Sequence, residues 1–167
     1  MSADTTPTVL IGAPSNARET EAVRDLFREY AESLGFSLGF QGFEEEMAAF
    51  PGSYAPPDGA LLLARVAREG TWHDAGAVGL RPLAPGICEM KRMYVRPTFR
   101  GLGLARSLAT TLLDLARARG YRAMRLDTVP AQMRAAERLY RELGFIDIPA
   151  YYDSPLDAVY LERDLRS

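Results

Sequence analysis

The chain is 167 residues long and is poor in the residues that build several common kinds of site. Cys88 is its only cysteine, which excludes an internal disulfide and a cysteine-based zinc cluster. His73 is its only histidine, so multi-histidine metal sites are excluded and a serine–histidine triad is disfavoured. No metal is expected. Lys91 is the only lysine against nineteen arginines, and no lysine stands in a glycine-rich turn of the Walker type, G-x-x-x-x-G-K-[ST]. The arginine excess is read as genomic base composition. No basic stripe carries interleaved aromatics, so nucleic acid is not an expected partner. No apolar run approaches the ~20 residues that span a bilayer. Residues 1–8 lack the basic and apolar regions of a signal peptide. A membrane is therefore not expected either, and the cytoplasm is the expected compartment.

What remains is ordinary for a soluble globular protein, with 47% hydrophobic and 25% charged residues. The length predicts a single domain over residues 1–167. Net charge is −2, unevenly spread. Residues 1–60 carry ten acids and three arginines, and residues 61–125 carry twelve bases and four acids. A basic middle suits a polyanionic ligand, and an acidic front suits a cationic one, unless both are simply solvated faces.

The basic middle contains the most informative stretch, residues 90–108, M-K-R-M-Y-V-R-P-T-F-R-G-L-G-L-A-R-S-L. It reads as a strand to Val95, a proline-containing turn, then a helix marked by Leu102, Leu104, Ala105, Leu108, Leu112 and Leu115. A helix start offers unpartnered N–H groups and roughly half a positive charge to an anion. Gly101 and Gly103 leave room for close approach, and Arg100 and Arg106 flank the turn. A dinucleotide fingerprint, G-x-G-x-x-G, would need glycine where Arg106 sits.

The remaining segments read in order. Residues 9–11 form a short strand, and Asn16-x-x-Glu19 forms a capping box before a helix over 17–34. A second short helix covers 44–50. Two strands at 59–67 and 76–80 form a hairpin, with His73 near its tip, and 81–86 is a turn. The strand 87–95 leads into the glycine turn and its helix, followed by a strand at 121–129, a helix at 131–143, a strand to 148 and a last strand at 156–165. The order is β-α-α-β-β-β-α-β-α-β-β: an antiparallel meander, then a crossover that makes the strands 87–95 and 121–129 parallel neighbours. If these two splay apart, the gap becomes a ligand slot.

Two motifs carry a family resemblance. Arg100-Gly101-Leu102-Gly103-Leu104-Ala105 (R-x-x-G-x-A) resembles the coenzyme A pyrophosphate loop of the GNAT N-acetyltransferase superfamily. Residues 136–145, A-x-x-L-Y-x-x-x-G-F, resemble that superfamily's second acetyl-CoA motif. The resemblance implies an α/β (α+β) fold with a mixed, mostly antiparallel seven-stranded sheet and about four helices. It implies acetyl transfer from acetyl-CoA to a primary amine by direct attack in a ternary complex. Met93, Tyr94 and Val95 would offer backbone groups to the pantetheine arm and thioester carbonyl. Arg100, Gly101, Leu102, Gly103, Leu104, Ala105 and Arg106 would hold the pyrophosphate, and Tyr140 would be the general acid. One departure stands out: Met133 occupies the place of the family's usual asparagine, so that hydrogen bond must come from elsewhere, with neighbouring Gln132 one source, or be absent.

Chemistry supports Tyr140 separately, since a phenol with a pKa near 10 stays protonated at neutral pH and can serve a departing thiolate. The plainer reading of Tyr140 is a core aromatic. A base is also required, and Glu89 is the candidate, on the same face as Met93 if no bulge intervenes. Its plainer reading is a salt bridge with Arg92 or Arg125. Cys88 reads as a small core hydrophobe. The acceptor, a small-molecule or peptide amine, is expected to be cationic, drawn by Glu44, Glu45 and Glu46 and by Tyr151, Tyr152 and Asp153. A homodimer stays open. The rival readings are a CoA-binding module without turnover and an enzyme using another acyl-CoA, such as succinyl- or propionyl-CoA.

Overall fold

Residues 60–64, Ala-Leu-Leu-Leu-Ala, are all buried and lie in a strand, as a strand covered on both faces requires. The computed structural model describes residues 6–166 and builds the protein around such a sheet. In chain order its elements are β1 (Thr8–Gly12), α1 (Ala17–Ser33), α2 (Phe43–Ala48), β2 (Ala60–Arg68), β3 (Thr71–Ala84), β4 (Ile87–Val95), α3 (Leu104–Ala118), β5 (Ala123–Thr128), α4 (Pro130–Glu142), β6 (Ile146–Asp147) and β7 (Val159–Asp164). The seven strands lie side by side as β1-β2-β3-β4-β5-β7-β6. Only the β4–β5 pair is parallel. This is the mixed, mostly antiparallel α/β architecture that the sequence predicts, in the predicted order.

Alternate residues of each strand feed two cores. Leu62, Ala64, Val78, Leu80, Met90, Met124 and Leu126 pack with Leu108 and Leu112 of α3 and Tyr140 of α4. Leu61, Leu63, Ala77 and Tyr94 pack on the other face with Val23, Leu26 and Phe27 of α1 and Phe43 and Met47 of α2. Burying a Leu or Phe side chain contributes roughly 1.5–3 kcal/mol, so the two cores fix the helices to opposite faces.

Three local expectations are corrected. The hairpin turn is only Glu69–Gly70, both with positive φ (52° and 77°), the geometry that joins two twisted strands tightly. His73 therefore lies within β3, opposite Val66, not at a tip. Residues 71–73 are exposed, so no apolar alternation marks them as strand. Residues 81–84 also continue β3, and the turn shrinks to the two residues before Ile87. The capping box is half formed: Asn16 Oδ1 accepts from Glu19 N at 2.9 Å, but the Glu19 carboxylate turns to the hydroxyl of Ser15 at 2.6 Å.

Candidate active site

Strands β4 and β5 pair only at Ile87–Ala123, Cys88–Met124 and Glu89–Arg125. Past those pairs both strands continue, to Val95 and Thr128, without a mutual register. The sheet thus opens at its centre. The opening lies at the carboxyl ends of the two parallel strands, where α/β folds place their ligands.

At the end of β4 the chain makes a turn at Pro97–Phe99 and enters α3. Phe99 and Leu104 are buried with Leu102 packed against them, so the loop is anchored from beneath. Gly101 and Gly103 adopt φ +85° and +73°, and a Cβ at either would meet nothing within 4 Å. The space in front of the main chain is open, and the left-handed φ demands glycine. The carbonyl of Gly103 takes its hydrogen bond from Ser107, so the N–H groups of the first turn have no acceptor within the helix. Arg100 and Arg106 are exposed on either side, Arg106 paired with Glu142. These residues suit a diphosphate.

The central opening holds two adjoining clefts. The one against α4 is walled by Met93, Thr128, Ala136 and Tyr140. The other lies against residues 36–41, with Phe36, Leu38, Phe40, Val129 and Leu156 as its apolar wall. Tyr30, Met90, Lys91, Arg92, Asp127 and Met133 border both. Tyr140 is 6% exposed, and its ring meets Phe145 edge-on at 5.9 Å. Burial, reinforced by Tyr30 and Asp127, raises its hydroxyl above the ordinary phenol pKa of 10.0. Tyr140 is thus both a core aromatic and a wall of the cleft.

Glu89 is placed differently from expectation. On β4, Arg92 and Met93 together face Val78 alone, and Arg92 has φ +62°. This bulge reverses the alternation beyond it. Met93 packs with Met90 toward α3 and α4, while Glu89 turns toward the side of α1 and α2. Glu89 and Met93 therefore do not share a face. The Glu89 carboxylate is 1% exposed, accepts from Arg81 Nε at 2.9 Å and from Tyr151 hydroxyl at 2.6 Å, and walls neither cleft. Its salt-bridge partners are Arg81 and, at 4.0 Å, Lys91, not Arg92 or Arg125; Arg125 pairs with Glu162 at 2.7 Å.

Three of the six groups expected to draw an acceptor, Glu46, Tyr151 and Tyr152, are committed to internal bonds. Glu46 grips Arg92 with both oxygens, at 3.1 and 3.2 Å, while Glu44 and Glu45 are exposed. Tyr152 donates to Asp127 Oδ2 at 2.6 Å, and Asp153 is exposed. Met133 breaks the helical dihedrals of α4 (φ −136°, ψ 41°), and its sulfur lies 3.8 Å from the hydroxyls of Tyr30 and Thr128. The Gln132 side chain lies outside the described residues. Cys88 is fully buried and burial pushes its thiol up to about 12, in keeping with a core role.

Sequence reasoning missed Lys91, Arg92, Asp127 and Gln41, which meet in the cleft. Lys91 Nζ donates to Asp127 Oδ1 at 3.4 Å and to Gln41 Oε1 at 3.2 Å, and Arg92 Nη1 donates to the same Gln41 oxygen at 2.6 Å. Burial lowers the pKa of Lys91 against the opposing pull of Asp127 and Glu89. The available signal was three charges, Glu89, Lys91 and Arg92, in a nine-residue strand that had to be central.

A central sheet opening beside a glycine turn that caps a helix defines a site for an elongated, anionic ligand. The comparisons carry this to a family. The model of the acetyltransferase (GNAT) family matches residues 20–145. An uncharacterized N-acetyltransferase of Schizosaccharomyces pombe is 35% identical over 159 residues, covering 94% of this chain and 95% of the relative. An IAA acetyltransferase of Azospirillum brasilense is 38% identical over 114 residues, covering 66% and 71%. A crystal structure of a GNAT-family acetyltransferase from Staphylococcus aureus superposes with a TM-score of 0.76 at 17% identity, covering 95% of this chain and all of that one. The chain belongs to the GNAT family and is an N-acetyltransferase, with an acyl-CoA as cosubstrate. No described helix is long and apolar enough to cross a membrane.

Proposed function

We propose that the protein moves acetyl from acetyl-CoA to a primary amine by direct attack, with donor and acceptor entering the central opening from opposite sides. The observation that carries this reading is the pair of clefts that adjoin at Lys91, Asp127 and Met133, one walled by Tyr140 and the other by residues 36–41. Bound acetyl-CoA supplies the acyl thioester. The first turn of α3 with Gly101, Gly103, Arg100 and Arg106 holds the diphosphate, and the backbone of Met93, Tyr94 and Val95 orients the arm. Tyr140 hands its hydroxyl proton to the sulfur as the thiolate departs. Asp127, about a tenth exposed and bordering both clefts, is the carboxylate in position to receive the ammonium's proton through water. Glu89 keeps Tyr151 and Arg81 in place behind it. The same reading takes residues 1–167 as a single domain, supported by one sheet with cores on both faces, and takes the cytoplasm as its setting, in line with a lone cysteine.

The test is a screen of amines, amino acids, aminoglycosides and peptide N-termini with acetyl-CoA, reading thiol release. Turnover that is saturable in both substrates is expected. Acetyl-CoA binding by calorimetry with no turnover across the panel would instead favour a CoA-binding module. Faster turnover with succinyl- or propionyl-CoA would change the donor.

A further inference from the structure

The buried cations beside the cleft ask for an explanation that amine transfer alone does not supply. Lys91 and Arg92 are adjacent in sequence, and a regular strand would send them to opposite faces. The bulge with Arg92 at φ +62° instead turns both to the same side. A positive φ on a non-glycine residue is strained backbone, the kind of local strain that clusters at functional sites. Their side chains are 4% and 2% exposed. What they converge on is a neutral atom: Gln41 Oε1 accepts from Lys91 Nζ at 3.2 Å and from Arg92 Nη1 at 2.6 Å. The nearby carboxylates occupy the other donors, Glu46 on Arg92 and Asp127 on Lys91. Gln41 itself comes from a short turn, Gly39–Gln41, at the wall of the cleft. An oxygen in that position receives two cationic donors, which favours a negative oxygen over an amide one.

We infer that Lys91 and Arg92 form the binding site for an acid group on the acceptor, and that the Gln41 carbonyl marks where its oxygen sits. The acceptor is then an amine that carries a carboxylate, with an α-amino acid as the simplest case. This rests on the transfer reading above and narrows it. Charge accounting agrees. Arg81, Lys91 and Arg92 face Glu46, Glu89 and Asp127, a balanced cluster. A zwitterion leaves that balance intact, whereas a simple cationic amine adds uncompensated charge to a buried site. Phe36, Leu38, Phe40 and Leu156 on the cleft wall suit an apolar side chain on the acceptor.

The experiment compares leucine, methionine and phenylalanine with their primary amides at equal concentrations of free amine. At least one acid is expected to exceed its amide in kcat/KM by roughly tenfold or more, as two charge-assisted hydrogen bonds would give. Gln41→Glu places an internal carboxylate on the two cations and should cut the acid-to-amide ratio by a similar factor, with the loss in KM. Equal kcat/KM for acids and amides, or a ratio indifferent to Gln41→Glu, overturns the site. If no amine is turned over while acetyl-CoA binds, that counts against the transfer reading. The site is then judged by calorimetry with CoA present: N-acetyl-leucine, N-acetyl-methionine and N-acetyl-phenylalanine should bind more tightly than their amides in wild type and lose that advantage in Gln41→Glu. Equal binding of acid and amide overturns it.

Discussion

Tyr140 reaches the cleft from a helix face that is otherwise core, so the general-acid role proposed for it and its core packing are compatible in space. Replacing it with Phe keeps the ring against Phe145, so folding and CoA affinity should stay near wild type. The kcat should fall by roughly 10–10³, about the range of a positioned general acid or slightly below it. Steady-state kinetics check this: a change confined to KM would make Tyr140 a binding or packing group. The direction of its pKa adds a second prediction. The folded value is raised above 10.0, so the protonated donor is retained as pH passes through the ordinary phenol range. The pH–kcat profile should therefore have no falling limb at 10, and its alkaline decline should begin higher. A wild-type decline centred at 10 that is absent in Tyr140→Phe would show an ordinary, solvated phenol. Tyr140 was legible because a motif surrounds it. Lys91, Arg92 and Gln41 were not, since their meeting depends on partners about fifty positions apart in the chain and on one positive φ.

Helices and strands were more legible than side-chain roles, and where they failed the reason is local. The glycine turn and the helix start that follows it were readable because glycine spacing and helical periodicity sit next to each other. The β4 bulge had no such mark, and it alone moved Glu89 off the face of Met93. The α3 turn also dictates how it should be probed. Bulky replacements at Gly103 are strained by φ +73° whatever they do to a ligand. Ala105, in the first turn, carries no such constraint. Ala105→Asp adds an acid where the helix dipole favours one, so the free protein should keep or slightly raise its Tm. The same acid opposes a diphosphate, so acetyl-CoA affinity should drop by at least about tenfold. Calorimetry reads the loss; undiminished affinity would place the diphosphate elsewhere.

At the scale of the whole molecule, the chain order of strands and helices was legible from hydrophobic periodicity, whereas the insertion of β7 between β5 and β6 depends on tertiary pairing that leaves no local mark. The splay of β4 from β5, which the sequence reading left conditional, belongs to tertiary pairing as well, and a ligand held there becomes part of the protein's stability. At a hundredfold excess over Kd, a ligand bound only by the native state adds about 2.7 kcal/mol. The three residue pairs that join β4 to β5 have a further consequence. An ordinary open sheet has two outer edges, but this one also has two inner ones, where β4 and β5 face a gap. Unpaired strand edges invite other chains to pair and aggregate, and these two lie inside the sheet, not at its rim. Backbone groups there should exchange their hydrogens readily in the free protein. Hydrogen–deuterium exchange over residues 90–95 should slow when acetyl-CoA binds, while residues 63–67 of β2, paired on both sides, stay slow throughout. Exchange over 90–95 that ignores acetyl-CoA would mean that the inner edge of β4 is not the ligand's berth. If it is, acetyl-CoA does for this sheet what a missing strand would do, and a cell short of it holds a protein with an open seam.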